Sequence, residues 1–466
     1  MPVIFITDAF IFLLVFMVVA YVLYARRHEH LRAPWHNVAC RPLAMSAAIV
    51  LAVYVVVGLL DSVHFHPKLE ATKTTDTVYS TEVSSLLDLV LEDLHQNTER
   101  TYSAPLASYA FAKEMIDLPD GKQVRDYPRL KYGGAHLDDP VSERVSDIIK
   151  RLFIGLICGL VISLVLSSLI IFILGRAHEI SFKQALHKIF KNDYYVAWAA
   201  MIITINLIII VGSCLYNLSQ FYHVFGTDKV GQDVLYQAIK SVRTGLVIGT
   251  LTTLVMLPFA IMMGLMAGYF RGWIDDVIQY LYTTLNSIPG VLLIAASILL
   301  LQVYIGNHAD DFSSIEERAD LRLLFLCIIL GITSWTGLCR LLRAETLKLR
   351  EIDYVQAAQA FGVNNLSIML RHLLPNVMHI VMISIVIDFS GLVLAEAVLS
   401  YINIGVDPSM NSWGNMINGA RLEMAREPIV WWSLSAAFVF MFVLVLAANL
   451  FSDAVRDAFD PRLRQL

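Results

Sequence analysis

Nine separate runs of about 20 mostly apolar residues, the length that crosses the hydrocarbon core of a bilayer, divide this chain. They lie near residues 3–24, 43–63, 149–174, 195–215, 244–269, 277–303, 321–341, 377–402 and 429–451. Lipid offers no hydrogen bonds, so a backbone crossing it must satisfy its own polar groups, and runs of this length do so as helices. The expected fold class is an all-α polytopic membrane protein. A content of 57% hydrophobic and 16% charged residues excludes a soluble globule. The first run reads as a retained anchor rather than a signal peptide, because no basic region precedes it and its charges, Arg26 and Arg27, follow it.

Basic residues in short loops set orientation. Arg26, Arg27, Arg32 and Arg41 fill the first connection, and Arg176, Lys183, Lys188 and Lys191 fill that between the third and fourth runs. Arg343, Lys348, Arg350 and Arg371 mark a polar island at residues 343–376. All three regions belong in the cytoplasm, whereas the acidic Asp310, Asp311, Glu316, Glu317 and Asp320 belong outside. Nine spans then put the amino terminus outside and the carboxyl tail in the cytoplasm. They also leave residues 64–148 as an outer segment. There Leu86, Leu87, Val90, Leu91 and Leu94 form a helical stripe, and Pro119, Asp120, Gly121, Gly133 and Gly134 mark turns. A small helical cap is expected, with an irregular mobile loop as the alternative.

The chemistry is sparse. No GxxxxGK[ST] phosphate loop, HExxH or GxSxG occurs, so no catalytic apparatus is visible and ATP is expected on another chain. Four of the five cysteines, Cys158, Cys214, Cys327 and Cys339, lie in apolar runs and read as packing residues. His28, His30 and His36, and His64 with His66, lack carboxylate or thiol company and read as interfacial polar residues rather than metal ligands. The net charge of −5 points to no partner, and no nucleic acid is expected.

The island carries more information. Tyr354 to Phe361 is Ala-rich and suits a short helix that Gly362 ends. A second helical stretch, Asn365 to Leu373, is expected to stop before Pro375. Small side chains at Ala357 and Ala358 would let another protein approach closely. The pattern resembles the Glu-Ala-Ala-x3-Gly-x9-Ile-x-Leu-Pro cytoplasmic coupling loop of ATP-binding cassette (ABC) importer permeases. Ala357, Ala358, Gly362, Leu374 and Pro375 fall at its spacing, Gln356 replaces the Glu and His372 replaces the Ile. Both departures resemble the dipeptide, oligopeptide and nickel branch, in its second membrane subunit (DppC/OppC-like). Phe225 to Val234 is similar to that branch's Gly-Thr-Asp-x-x-Gly-x-Asp outer motif, through Gly226, Thr227, Asp228, Gly231 and Asp233. Ala267 to Phe270, Leu394 to Ser400, Ser412 to Asn415 and Arg456 to Arg462 continue the resemblance.

The resemblance implies a six-helix permease core at residues 191–466, forming half of a peptide path beside a second permease subunit. It also implies two cytoplasmic ATPases carrying ATP and Mg, with no cofactor on this chain. An outer solute-binding protein and a bacterial inner-membrane location complete the set. Residues 1–190, with three further spans, fall outside the resemblance and are expected to be dispensable for coupling.

Polar residues inside spans usually face a protein interior or an aqueous path. Asp388, Glu396, Asn286 and Ser287 are the path candidates, with interhelical hydrogen bonding as the alternative; Pro289 is expected to kink its span. Gly264 and Gly268 suit close helix packing. Nickel chelates or antimicrobial peptides are the alternative cargoes. A membrane-anchored sensor or an ATP-independent transporter is the alternative of another class, but inverted repeats are not seen and the coupling island argues against both.

Overall fold

The computed structural model describes residues 2–27, 29–68, 79–80, 83–117, 123–191, 193–308, 312, 314–425 and 427–459. His28, Pro119, Asp120, Gly121, Asp310, Asp311 and the tail from Asp460 lie outside the described residues. Among those described, nine helices are long and apolar enough to cross a membrane. They are α1 (Ile6–Arg27), α3 (Pro42–Asp61), α6 (Pro140–Ala177), α8 (Trp198–Ser219), α9 (Val234–Phe270), α11 (Gly290–Asn307), α12 (Ile315–Leu349), the stretch Asn365–Tyr401 that contains α15 (Leu374–Tyr401), and α17 (Trp432–Phe459). Shorter helices join them: α2 (Glu29–Ala39), α7 (Phe182–Phe190), α10 (Gly272–Ser287), α13 (Asp353–Ala360), α14 (Asn365–Ile368) and α16 (Trp413–Glu423).

The sixth apolar run is two helices, not one kinked span. α10 ends at Ser287, Ile288 is extended at φ −87° and ψ 127°, and α11 begins at Gly290. Pro289 has no N–H and drives its predecessor out of the helical region, which turns the expected kink into a break.

α9 sits at the centre of the fold and packs against α3, α12, α15 and α17. Its closest neighbour is α12. A Cβ on Gly264 would stand 2.7 Å from Leu342 Cβ, and one on Gly268 2.5 Å from Thr346 Cβ. The two backbones approach because those side chains are missing, as in small-residue membrane interfaces.

The described residues of the segment after α3 combine two short helices with short paired strands rather than helices alone. The leucine stripe is split between α4 (Leu86–Val90) and α5 (Glu92–Gln96), burying Leu87 and Leu94. Strands β1 (Pro2–Val3), β2 (His64–Phe65) and β3 (Ser84–Ser85) form a small antiparallel sheet, with Val3 opposite His64 and His64 opposite Ser85. This pairing brings the amino terminus to the same end of the bundle as the segment after α3. Strands β4 (Glu114–Asp117) and β5 (Gln123–Asp126) pair antiparallel, with Glu114 opposite Asp126.

The boundary of resemblance near residue 190 is not a boundary of packing. α3 lies against α8, α9 and α17, and α1 touches α9 and α12. Buried charges fasten the helices together at this end of the bundle. Arg243 of α9 pairs with Asp8 of α1 at 2.6 Å and stands 3.6 Å from Asp320 of α12. The Thr7 N–H donates to Asp320 at 3.2 Å, and its hydroxyl donates to the same carboxylate. Lys240, one turn before Arg243, reaches Asp88 at 2.5 Å, and Ser85 Oγ donates to Asp61 at 2.7 Å.

Candidate functional site

At the opposite end of the bundle, α13 and α14 form the island. Gly362 follows α13 at φ 74°, a left-handed conformation that suits glycine, and lets the chain turn sharply. Asn364 then caps α14 by accepting from Leu366 N–H at 3.2 Å. Val355, Ile368 and Leu373 are fully buried in a cluster with Tyr269, Ile278, Leu342 and Val377. Polar bonds fix the same joint. Tyr269 Oη donates to Asn365 Oδ1 at 2.9 Å, Arg350 donates to Tyr269 O at 2.6 Å, and Arg343 grips both Asp275 oxygens at 2.6 and 2.7 Å.

Two expectations for the island are corrected. The second helical stretch does not stop before Pro375: Met369–Leu373 forms a π-helical turn running directly into α15, with Pro375 in the first turn of that helix. Widening the turn accommodates the proline ring and its missing donor, and Asn376 Nδ2 donates to His372 O at 2.6 Å and to Tyr354 Oη at 2.9 Å. Secondly, Ala358 is half-buried against its own chain, and of the two alanines only Ala357 is exposed. Gln356 is exposed and donates to Glu351 O at 3.3 Å; Gly362 and Pro375 are exposed, whereas His372 and Leu374 are half-buried. Phe361, 87% exposed, stands beside Ala357 at the end of α13. The result is a rigid knob with a small apolar face, joined without interruption to a span.

The path candidates separate. Glu396 is enclosed: Ser400 Oγ donates to it at 2.7 Å, and Ser412 and the Gly414 N–H also bond it. A Cβ on Gly414 would stand 2.7 Å from Glu396 Oε1. Glu396 therefore fastens α15 to α16 and does not line a path, correcting that expectation. Asn286 is exposed and accepts from Thr336 of α12 at 3.1 Å, and Ser287 closes on Thr284 O at 2.7 Å. Asp388 is half-buried, and its carboxylate makes no hydrogen bond or ion pair among the described residues.

The outer motif is a socket for the cap. Asp233 caps α9 by accepting from Leu235 and Tyr236 N–H at 2.8 and 3.3 Å. Asp228 takes bonds from Val230, Gln232 and Gln237. Thr227 Oγ1 accepts from Ser103 N–H at 2.7 Å and donates to Thr101 O at 2.8 Å. Gly226 has φ 72°; Gly231, at φ 78°, lets its carbonyl accept from Glu99 N–H at 2.9 Å. His223 completes the socket, with Nδ1 2.7 Å from Asp233 and Nε2 3.5 Å from Glu99, the latter an ion-pair separation rather than a hydrogen bond. Burial opposes the imidazolium, yet Asp233 and Glu99 raise the His223 pKa to about 9. Burial likewise opposes the Glu99 carboxylate, but His223 and the N–H groups of Tyr132, Lys131 and Gly133 lower its pKa to about 2.

Residues 260–465 match the family described as "Binding-protein-dependent transport system inner membrane component". The glutathione transport system permease protein GsiD of Pectobacterium atrosepticum is 30% identical over 242 residues, 52% of this chain and 73% of that protein. The oligopeptide transport system permease protein OppC of Mycobacterium tuberculosis is 30% identical over 244 residues, 52% of this chain and 77% of that one. The chain belongs to the binding-protein-dependent transport permeases. It is the DppC/OppC-type permease subunit of an ABC importer, a multi-pass inner-membrane transport component. The dipeptide permease DppC of Lactococcus lactis is 32% identical over 52% of this chain and 64% of its own length. A solved structure of the methionine ABC transporter MetNI in inward-facing conformations covers 48% of this chain at 15% identity and a TM-score of 0.36, too distant to inform the geometry.

Membership of these permeases implies an extrinsic binding protein and ATPases as partners. The matched residues 260–465 include the island, Asp388, Glu396 and Asn286, whereas the outer motif and the whole extension precede them. Sequence reading missed the Glu99, His223 and Asp233 cluster. Glu99 and His223 lie far apart in the chain, and neither belongs to a pattern that a linear reading would single out.

Proposed function

We propose that this permease forms half of a translocation path for short peptides. A second permease subunit encloses the other half, two cytoplasmic ATPases dock on the island, and an outer binding protein delivers the cargo. ATP and Mg reside on the ATPases, and this chain itself binds no cofactor. The amino terminus lies outside and the carboxyl tail in the cytoplasm. The island's geometry carries the reading: an exposed face at Gln356, Ala357 and Phe361, anchored by Val355, Ile368 and Leu373, continues through the π turn into α15. A push on that face moves a span as a rigid body, which is how a distant ATPase switches a path between its two sides. The relatives named for glutathione, dipeptides and oligopeptides support peptides over nickel chelates or antimicrobial peptides.

The test is reconstitution of the full chain with a second permease, two ATPases and a binding protein from the same organism. ATP-dependent accumulation of trialanine in proteoliposomes, without accumulation of a nickel–histidine chelate, is the expected result. Peptide accumulation that persists without the ATPases would overturn the coupling, and accumulation of the chelate alone would overturn the cargo.

A further inference from the structure

Asp388 differs from the buried acidic residues described in or beside the spans. Asp8 meets Arg243, Asp88 meets Lys240, Asp61 accepts from Ser85, Asp320 from Thr7, and Glu396 from Ser400. The Asp388 carboxylate has no partner among the described residues. Its direction is set by the two residues that follow it. Phe389 fills the gap at Gly249 on α9, where a Cβ would stand 2.4 Å from the ring. Ser390 Oγ donates to Asn449 Oδ1 on α17 at 2.9 Å. With both neighbours committed inward, α15 presents the stripe Ile387, Gly391, Leu394 and Val398 away from the chain, and Asp388 lies at its edge.

At 1.5 Å per residue Asp388 lies about 21 Å along α15 from Leu374, well inside the span. A lone carboxylate facing hydrocarbon at that depth is disfavoured, and intramembrane acids face an interior or an aqueous path instead. We infer that Asp388 is a specificity-determining residue that receives the protonated amino group of the transported peptide; this rests on the peptide reading above. The chemistry is a charge-assisted hydrogen bond from an ammonium to a carboxylate, which an acylated amino terminus does not make. Because α15 continues from the island, movement of the island carries Asp388 with it and changes the side from which the ammonium reaches it.

The test compares ATP-dependent uptake of trialanine and N-acetyl-trialanine by the reconstituted four-component complex. Wild type is expected to prefer the free amine by about tenfold, the scale of one charge-assisted contact. Asp388→Asn should bring that ratio to about one through a raised KM for trialanine, and Asp388→Glu should restore it. Persistence of the preference in Asp388→Asn overturns the inference, as does a wild type that takes both peptides equally. Loss of the second permease subunit from the purified Asp388→Asn complex overturns it too, because the carboxylate would then belong to an intersubunit ion pair. If wild type imports neither peptide, the peptide reading falls and takes this inference with it.

Discussion

The guanidinium of Arg243 in α9 lies 2.6 Å from the carboxylate of Asp8 in α1, a partner 235 positions earlier in the chain. The pair is almost wholly buried, with Asp320 of α12 at 3.6 Å on its other side. A buried ion pair is weak evidence of net stabilisation, but removing one partner strands the other at a high cost. The extension thus neutralises charges that α9 carries at Lys240 and Arg243.

A chain beginning near Lys183 is therefore expected to fail, contrary to the dispensability expected from sequence. It loses Asp8, Asp61 and Asp88, which leaves Lys240 without its described acids and Arg243 with Asp320 alone, at 3.6 Å. In the full chain, Asp8→Ala should cost about 3 kcal/mol, and Asp8→Leu combined with Arg243→Met should recover most of it. Detergent-solubilised yield and thermal unfolding read both. A truncated chain that purifies as well as the full one would refute the expectation.

The cap should loosen in alkali. The His223 pKa is raised from 6.5 to about 9, so its contribution is complete below 6.5 and fades as pH rises toward about 9. Glu99 is lowered from 4.5 to about 2, so its contribution is complete above 4.5 and fades as pH falls toward about 2. The clamp is strongest between those windows, near pH 5 to 6. Hydrogen exchange at residues 98–137 should be slowest there and accelerate by pH 9.5, after correction for the intrinsic rate. His223→Gln should abolish the alkaline acceleration while raising exchange at every pH.

The nine spans were legible because each apolar run had to be helical in lipid; their number matches the described helices, and eight of the positions do, the sixth shifting to Gly290–Asn307 because Pro289 breaks the run. Gly362 was legible as a terminator because its left-handed φ suits glycine. Pro375 was misread: a local rule ends a helix there, but a π turn supplied a continuation invisible in residue type. Ala358 and Glu396 were misplaced for a related reason. Which face of a helix meets its own chain depends on α9, α12 and α16, elements distant in sequence. The Glu99 and His223 contact lay hidden because tertiary folding alone brings its residues together.

Gly231→Ala should detach the cap locally. The residue has φ 78°, and an added Cβ would fall 1.9 Å from Glu99 O. Both backbone strain and collision oppose the change, so a loss of at least about 2 kcal/mol is expected. Faster proteolysis within residues 98–137, with α9 and α12 intact, is the expected signature. Unchanged proteolysis would mean that the contact carries no weight.

Orientation is testable at two exposed positions. In a cysteine-free background, Val124→Cys in β5 should react with an impermeant maleimide on intact spheroplasts, whereas Val363→Cys in the island should react only after lysis. Both valines are exposed, at 44% and 39%, so burial does not account for a difference. The reverse labelling pattern would invert the topology.

The island offers the sharpest contrast, because neighbouring alanines face opposite ways. Ala357 is exposed beside Phe361, whereas Ala358 packs on the chain's own cluster. Ala357→Arg should leave folding intact and place bulk and charge in a docking contact. Phe361→Ala should remove an exposed aromatic anchor worth about 2 kcal/mol at such an interface. Both variants should purify as stable permeases yet lose ATPase subunits on affinity purification, by at least about tenfold in apparent affinity. Ala358→Arg should behave differently, lowering thermal stability because the guanidinium enters a packed apolar cluster. If Ala357→Arg and Phe361→Ala retain their ATPases while Ala358→Arg still unfolds early, the island is a structural element of this chain and its docking face lies elsewhere.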